Sequence, residues 1–239
     1  MSSSKVSDTK RKGGITLPKE ASPERVRIAK RAAEEFRSGQ VVNLGVGIPT
    51  LIPDYLTPAQ DVHLQSENGL LGIGPTPEAD EIDMDLISAS KEPITMAAGA
   101  SLFDSAFSFS MIRGGHIDVA VMGALQVSEK GELANWAVPG ENILGVGGAM
   151  DLVSGAKRLI ITMTHHTRDG KAKLVRRLTY PSSGLRRANT VITEHAVFTF
   201  KDGNMVLIEM HPDLTVDQLR DMTEASFDVS PTLKPLAVD

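Results

Sequence analysis

The sequence contains no cysteine, and aromatic side chains make up only 4% of its 239 residues. Without cysteine there is no disulfide framework, no thiolate nucleophile and no cysteine-ligated metal, as is typical of a protein from a reducing cytosol. Basic residues are not in excess either: 25 Lys and Arg against 30 Asp and Glu leave a formal net charge of −5. This balance argues against a nucleic-acid-binding surface. No stretch approaches the roughly 18 consecutive apolar residues of a membrane span. We therefore expect a soluble cytoplasmic protein that binds neither nucleic acid nor membrane.

Length and composition predict one globular domain, because 41% hydrophobic and 23% charged residues are ordinary for such a fold. Residues 1–20 are polar and basic without an apolar segment, which is unlike a secretory signal or a membrane anchor. We expect residues 1–20 to form a flexible polar tail and residues 21–239 to form the domain.

The order of apolar patterns predicts an α/β fold. Ser22-Pro23-Glu24 is typical of a helix start, and apolar residues then recur at helical spacing until Gly39. A buried strand is predicted at 40–44, followed by a glycine loop and a second helical start through Leu51 to Tyr55. Further core strands are predicted at 94–96, 119–122 and 159–163, with a helix at 103–113. This order favours a largely parallel central sheet flanked by helices.

The last third of the sequence predicts a β-hairpin region. Short alternating segments at 190–193, 196–200 and 205–209 indicate strands, and Lys201-Asp202-Gly203-Asn204 is a hairpin signal between the last two. Thr215 is a suitable N-cap for one more helix.

The segment from Gln65 to Pro75 is the strongest candidate for chemistry. Period-2 alternation makes Glu67 the last residue of a predicted strand, and glycines at 69, 72 and 74 leave the following backbone open to a bulky substrate. A carboxylate held there can act as a covalent nucleophile. From this segment alone, a solvated strand-end glutamate beside a turn is an equally good interpretation.

Other motifs have competing interpretations. Gly45-x-Gly47 follows a strand, but Thr50 stands where a dinucleotide-binding motif needs its third glycine, so nicotinamide binding is disfavoured. Asn43, a polar residue in an apolar strand, must be hydrogen-bonded if buried, either to the backbone or to a substrate carbonyl. The turn from Gly145 to Asp151 can aim backbone N–H groups at an anion or oxyanion, or it can serve close helix packing.

The sequence offers no recognisable metal site. His165 and His166 are adjacent at a strand end, so their side chains should point in opposite directions, and no carboxylate stands at a ligand spacing. Lys91 is either an exposed loop cation or a phosphate contact, and its spacing alone favours the loop.

Five segments together resemble one family: VNLGVGIPT at 42–50, SENGLLGIGP at 66–75, SMIRGGHIDVAVMGALQVS at 110–128, LANWAVPG at 133–140 and GGAMDLVSGAK at 147–157. The sequence is similar to family I coenzyme A transferases, specifically the β subunit of 3-oxoacid CoA-transferases, from about residue 22 to about residue 233. The resemblance implies that Glu67 attacks the thioester of an acyl-CoA, and that ping-pong turnover passes through a glutamyl-CoA thioester. It also implies that Asn43, Gly147 and Gly148 lie near the reacting carbonyl and that Lys91 contacts the CoA phosphates.

The same resemblance implies a partner and a substrate class. An α subunit of similar size completes the active site in that family, commonly in an α2β2 heterotetramer, so the single chain is expected to be inactive. No cofactor or metal is expected, because the CoA thioester is itself a substrate. Succinyl-CoA with acetoacetate is the default pair. Met163-Thr164-His165 and the segment Tyr180 to Gly184 differ from the usual family pattern, which leaves 3-oxoadipate, acetate or butyrate as alternatives.

Two other classes remain as alternatives. An acyl-CoA hydrolase would share the glutamyl-CoA intermediate but open it with water. A regulatory or structural role would predict a lost nucleophile or a disrupted glycine turn, and both are intact.

Overall fold

The computed structural model describes residues 11–12, 15–16, 21–78, 80–140 and 145–237. Most of the predicted tail lies outside these residues, so its flexibility and the domain boundary stay predictions. In the described part of the chain, strands β1 and β2 form a two-stranded antiparallel pair near the start. The remaining strands form a ten-stranded and a three-stranded sheet. The strands are β1 (Arg11–Lys12), β2 (Ile15–Thr16), β3 (Val41–Leu44), β4 (His63–Ser66), β5 (Leu70–Ile73), β6 (Met96–Leu102), β7 (Val119–Gly123), β8 (Gln126–Ser128), β9 (Leu133–Ala134), β10 (Arg158–Thr162), β11 (Leu174–Val175), β12 (Thr190–Ile192), β13 (Ala196–Lys201), β14 (Asn204–Met210) and β15 (Asp228–Pro235).

Four α-helices and two 3₁₀ helices accompany these strands in the described residues. The α-helices are α1 (Pro23–Ala33), α2 (Ser105–Arg113), α3 (Ala149–Gly155) and α4 (Val216–Asp221), and the 3₁₀ helices are Ile48–Tyr55 and Pro58–Gln60.

The central sheet has the strand order β15-β14-β13-β12-β10-β7-β3-β4-β5-β6. Its middle strands β12, β10, β7, β3 and β4 are all parallel to their neighbours within that group. Antiparallel pairs join β12 to β13, β13 to β14, β4 to β5 and β5 to β6. The predicted α/β fold with a largely parallel central sheet and a C-terminal hairpin region is thus confirmed.

The core lies on both faces of this sheet, because residues of each central strand alternate between two apolar clusters. On β7, Ala120 and Met122 pack with α2 and α3, whereas Val119 and Val121 pack with α1 and the Ile48–Tyr55 helix. Full burial of one such aliphatic side chain contributes about 1.5–3 kcal/mol. Helices on both faces leave the C-terminal ends of the parallel strands as an open edge, where α/β proteins commonly bind ligands.

Two element predictions are corrected by the structure. Helix α1 ends at Ala33 rather than continuing to Gly39. The amides of Glu35 and Phe36 bond carbonyls three residues back, which tightens the last turn before Phe36 is buried.

The strand predicted in the core at 94–96 instead spans Met96–Leu102 at the sheet edge, with most of its residues exposed. The small residues of its Ala-Ala-Gly-Ala-Ser sequence carry no apolar alternation, so the pattern in the sequence located only its first residue.

Candidate active site

Glu67 begins the turn between β4 and β5, one residue beyond the strand that was predicted to end with it. The turn comprises residues 67–69, and the Gly69 N–H donates to the Ser66 carbonyl at 3.0 Å. Gly69 has a φ of +122°, and a Cβ atom there would lie 1.9 Å from the Phe103 carbonyl oxygen. Only glycine therefore fits this position without a backbone shift. The hairpin fixes where the Glu67 side chain begins.

The Glu67 carboxylate lies against the first residues of α3. Gly148 is the N-cap of that helix, and a Cβ atom on Gly148 would lie 2.4 Å from Glu67 Oε2 and 3.0 Å from the ring of Phe109. Gly147, directly before it, has a φ of +55°. The structure thus brings Glu67 together with the glycine turn that the sequence singled out, 81 residues away along the chain.

Burial raises the pKa of the Glu67 carboxyl above its ordinary value, and the negative charge of Asp151 in the first turn of α3 raises it further. Asp151 itself pairs with Arg113, with 2.7 Å between Oδ1 and Nε. Within the described residues, no Lys, Arg or His side chain lies in salt-bridge distance of Glu67. The carboxylate is half-buried without a cation, so it is less hydrated and more basic than a surface glutamate.

Buried amides form a relay beside the hairpin. Asn43 on β3 donates from Nδ2 to Gln65 Oε1 at 2.6 Å and to the Gln65 carbonyl at 3.3 Å. Gln65 on β4 in turn donates from Nε2 to Ser108 Oγ at 2.7 Å and to the Ser66 carbonyl at 3.1 Å. Because each amide nitrogen faces a backbone carbonyl, both amide orientations are fixed. A buried Asn43 was expected to bond either the backbone or a substrate carbonyl. In the structure, its side-chain nitrogen bonds protein atoms of Gln65.

Lys91 lies in an exposed turn that is tied to the hairpin of Glu67. Its backbone has a φ of +63°, and its N–H donates to the Ser88 carbonyl at 2.9 Å. The Ala89 N–H donates to Ser66 Oγ at 2.9 Å, and Asn68 donates to the Ile87 carbonyl at 2.8 Å. No acidic side chain of the described residues lies in salt-bridge distance of Lys91. Its ammonium is free to meet an anion near the site.

A cleft of about 570 Å³, including its solvent-open mouth, lies between this turn and the hairpin. Hydroxyl groups line much of it, together with the carboxyl group of Glu92. The pKa of Glu92 lies above its ordinary value. Burial is the main cause, a hydrogen bond from Thr50 partly opposes it, and the negative charge of Asp54 adds to the increase. The space inside it that a water-sized molecule can occupy is about 70 Å³, so the cleft offers polar partners to part of a ligand and does not enclose an extended one. The hydroxyl-bearing residues are Thr50, Ser66, Thr76, Ser88 and Ser90.

The adjacent histidines His165 and His166 are hydrogen-bonded to other protein groups through their ring nitrogens. His165 is fully buried, and its ring nitrogens lie 3.1 Å from Thr193 Oγ1 and 2.8 Å from Thr223 Oγ1. His166 Nε2 lies 3.0 Å from the Met222 carbonyl oxygen. Within the residues that the structure covers, no cluster of three or more His, Asp or Glu side chains is arranged to hold a metal ion.

The family model for coenzyme A transferases matches residues 25–221 of the sequence. The chain belongs to the coenzyme A transferase family. The predicted family and enzyme class are thereby confirmed. Among the described residues of this CoA-transferase, no helix has the length and apolar character needed to cross a membrane.

Similar CoA-transferases include separate subunits and longer chains. The chain is 50% identical over 206 residues to one subunit of a probable succinyl-CoA:3-ketoacid coenzyme A transferase of Bacillus subtilis, covering 86% of this chain and 95% of that one. It is 48% identical to the acetate CoA-transferase subunit beta of Escherichia coli, covering 87% of this chain and 94% of that one. It is also 48% identical to the human mitochondrial succinyl-CoA:3-ketoacid coenzyme A transferase 2, covering 89% of this chain but only 41% of the human protein.

The fold of this CoA-transferase is similar to that of a solved acyl-CoA transferase from Escherichia coli O157:H7. The two share 25% sequence identity with a TM-score of 0.71, covering 93% of this chain and 44% of the solved one. That enzyme was crystallised as a thioester complex with CoA.

Sequence reasoning missed four side chains that shape this CoA-transferase site. Gln65 and Ser108 are the buried partners of the amide relay, and each lies on an element with several other polar residues, so the sequence does not mark either of them as buried. Phe109 and Asp151 act from α2 and α3, and nothing in their local sequence indicates that these helices meet at Glu67.

Proposed function

We propose that this chain is the β subunit of a CoA-transferase that moves CoA between an acyl-CoA and a 3-oxo acid or short-chain carboxylate. The observation that carries the proposal is the half-buried carboxylate of Glu67, placed against Gly148 at the start of α3. A carboxylate is a weak nucleophile in water because its hydration shell stabilises the charge. It becomes more reactive when that shell is removed and oriented dipoles of the protein surround it instead.

The proposed reaction has two halves. A Glu67 carboxylate oxygen attacks the thioester carbonyl of the acyl-CoA, and the carbon–sulfur bond breaks to release the CoA thiolate and leave a mixed anhydride. The thiolate attacks the Glu67 carbonyl carbon of that anhydride, and the first carboxylic acid leaves as its carboxylate. A second carboxylate then opens the glutamyl-CoA thioester by the reverse steps. No proton, metal or redox cofactor is consumed, so we propose that none is required.

Other residues have supporting roles in this proposal. The backbone N–H groups at Gly147 and Gly148 would stabilise the oxyanion of each tetrahedral intermediate, a role supported by the close approach of Gly148 to the Glu67 carboxylate. Lys91 would meet a phosphate of CoA, and the hydroxyl groups of the cleft beside it would contact part of the amide-bearing arm. Asn43 would act indirectly by holding Gln65 and the β4 strand in place, since its side-chain nitrogen donates to the Gln65 side chain and carbonyl.

The names of the relatives support a partner and a range of substrates. Two of them are named as single subunits of an enzyme, and the human relative is more than twice as long as the matched region. We propose that an α subunit completes the site, in an α2β2 assembly located in the cytoplasm. Succinyl-CoA with acetoacetate is the first substrate pair to test, with acetate, butyrate and 3-oxoadipate as alternatives.

The deciding experiment is intact-protein mass spectrometry of the complex of this chain with its α subunit, mixed with a panel of acyl-CoAs. We expect a CoA-sized adduct on this chain, absent from a Glu67→Gln complex that assembles normally. An intact complex that forms no adduct with any donor would exclude transfer through Glu67. Product analysis with and without an acceptor acid separates the transferase from a hydrolase. Without an acceptor the transferase stops after one thioester per site, whereas a hydrolase turns over repeatedly.

A further inference from the structure

The two edges of the central sheet differ in chemistry. The β15 edge carries Pro231, Pro235 and Lys234, and prolines and lysines are the residues with which natural proteins prevent an edge strand from pairing. The β6 edge contains neither a charge nor a proline over its seven residues, Met96–Leu102. The β6 edge therefore lacks the charges and prolines that oppose pairing, although Gly99 at a φ of +85° and a register shift in its pairing with β5 make it irregular.

Strand β6 is also poorly covered by the rest of the chain. Six of its seven residues are exposed, with Met96 at 48% and Leu102 at 65%. Directly after the strand, Phe103 packs edge-to-face on Phe107, which is itself 57% exposed. An unpaired strand edge that continues into exposed Leu102 and Phe107 forms an apolar surface, which we term the β6 face.

We propose that the β6 face is where the α subunit docks, by adding a segment of its backbone to the free edge of β6. This inference rests on the proposed function, because it supplies the surface for the partner named there. Since this chain covers only 41% of the human relative, that protein joins this fold to a second large body. The face is also continuous with the site: β6 pairs with β5, and β5 leads back through three residues to Glu67.

The position of the face explains how a second subunit could supply groups for the acid substrate. A partner strand that pairs with β6 is three strand positions from β4, roughly 14 Å at about 4.8 Å per strand, and so within reach of the turn that carries Glu67. A partner strand on the β15 edge would be eight strand positions from β4, roughly 38 Å at the same spacing.

The test is hydrogen–deuterium exchange of this chain alone and in complex with its α subunit. We expect the amides of residues 96–102 that are not paired with β5 to exchange rapidly in the free chain and at least about tenfold more slowly in the complex, as paired strand amides do. Amides of residues 228–235 on the opposite edge should change little.

A matched pair of variants gives an independent measurement. Ala98→Lys places a charge on the β6 edge, and Thr232→Lys places the same charge on an exposed position of the β15 edge. We expect Ala98→Lys to weaken binding of the α subunit roughly tenfold or more, about 1.4 kcal/mol, with Thr232→Lys equal to wild type. Circular dichroism of each isolated variant checks that the fold is kept.

Each remaining outcome overturns the inference in a distinguishable way. If an active complex forms while residues 96–102 exchange as fast as in the free chain, the docking surface is wrong and the proposed function stands. If the isolated chain already protects β6 by self-association and keeps that contact in the complex, the occupant is a second copy. If wild type neither binds an α subunit nor forms a CoA adduct, the proposed function and the inference both fail.

Discussion

The contact between Glu67 and Gly148 leaves no room for a methyl group. Gly148→Ala would place a Cβ atom 2.4 Å from Glu67 Oε2, so the carboxylate must move. We expect kcat to fall roughly 100-fold with little loss of stability, since displacement of a reacting group by about 1 Å costs that much. Gly123→Ala is the control, because its methyl group meets no atom closer than 3.6 Å. Equal activity of the two variants would contradict the proposed placement.

The raised pKa of Glu67 predicts how activity depends on pH. Only the ionised carboxylate attacks, so a raised pKa removes the nucleophile at a higher pH than an ordinary glutamate would. Asp151→Asn removes a negative charge that raises this pKa, so the pKa of Glu67 should fall. We expect the acid limb of the kcat/KM profile to move to lower pH. Asp169→Asn, an exposed charge in another loop, should leave the limb unchanged; an unmoved limb in Asp151→Asn would contradict the assignment.

Part of the candidate site could be predicted from the local sequence, and the rest depends on how distant helices pack. The predicted residues Glu67, Asn43, Lys91, Gly147 and Gly148 lie on, beside or against one hairpin, although their roles remain proposals. Local sequence identified the strand-end carboxylate and the glycine turns, because both follow from turn chemistry. It could not identify Phe109 or Asp151, whose position depends on how α2 and α3 pack together.

At the scale of elements, the β4–β5 hairpin depends on one glycine. Gly69→Ala would combine an unfavourable positive φ with a Cβ atom 1.9 Å from the Phe103 carbonyl oxygen. Gly170→Ala has a similarly positive φ of +80° but no atom within 4 Å, so it measures the backbone cost alone. We expect Gly69→Ala to be less stable than Gly170→Ala by roughly 1–3 kcal/mol in urea unfolding, with transferase activity lost. Equal losses of stability would show that the hairpin relaxes freely.

The amide relay couples β3, β4 and α2. Gln65→Leu leaves the Asn43 amide and the Ser108 hydroxyl buried without their partner, which should cost about 1–3 kcal/mol of unfolding free energy. A double-mutant cycle of Gln65→Leu with Ser108→Ala isolates the interaction between them. We expect the double variant to be more stable than the sum of the two losses predicts, and additive losses would argue against the relay.

Elements with strong local signals were predicted well. Strands β3, β7 and β10 and the β13–β14 hairpin lie close to their predicted positions, and Thr215 caps α4 in a capping box with Gln218. The small strands β8, β9 and β11 and the edge strand β15 were not predicted. Strands β8, β9 and β11 are too short to show a clear period and lack the run of β-branched residues that marks β12, and the two prolines of β15 obscure its pattern.

At the scale of the whole molecule, a buried histidine predicts acid sensitivity. Burial, together with the neighbouring charges of His166 and His195, lowers the pKa of His165 from 6.5 to about 3. Below about pH 6.5 His165 is protonated in the unfolded chain but stays neutral in the folded chain. The free energy of unfolding therefore decreases as the pH is lowered from 6.5 to about 3, by up to about 1.4 kcal/mol per pH unit. We expect His165→Gln to be less stable than wild type at pH 8, with a shallower fall between pH 6 and 4 in urea unfolding. An unchanged slope would contradict this assignment.

The mixture of local and distant strand pairs also sets an order of folding. Strands β4 and β5 meet across three residues, whereas the bond from the Val41 N–H to Asp118, which links β3 to the start of β7, closes 77 residues of chain. Local pairs form quickly, and pairs of distant residues form slowly. The turn that carries Glu67 therefore takes shape early in refolding, while Gly148 arrives only when α3 docks on the finished sheet. During refolding, the turn with the Glu67 carboxylate therefore forms before Gly148 packs against it. We expect secondary structure to be regained earlier than the ability to form the CoA adduct.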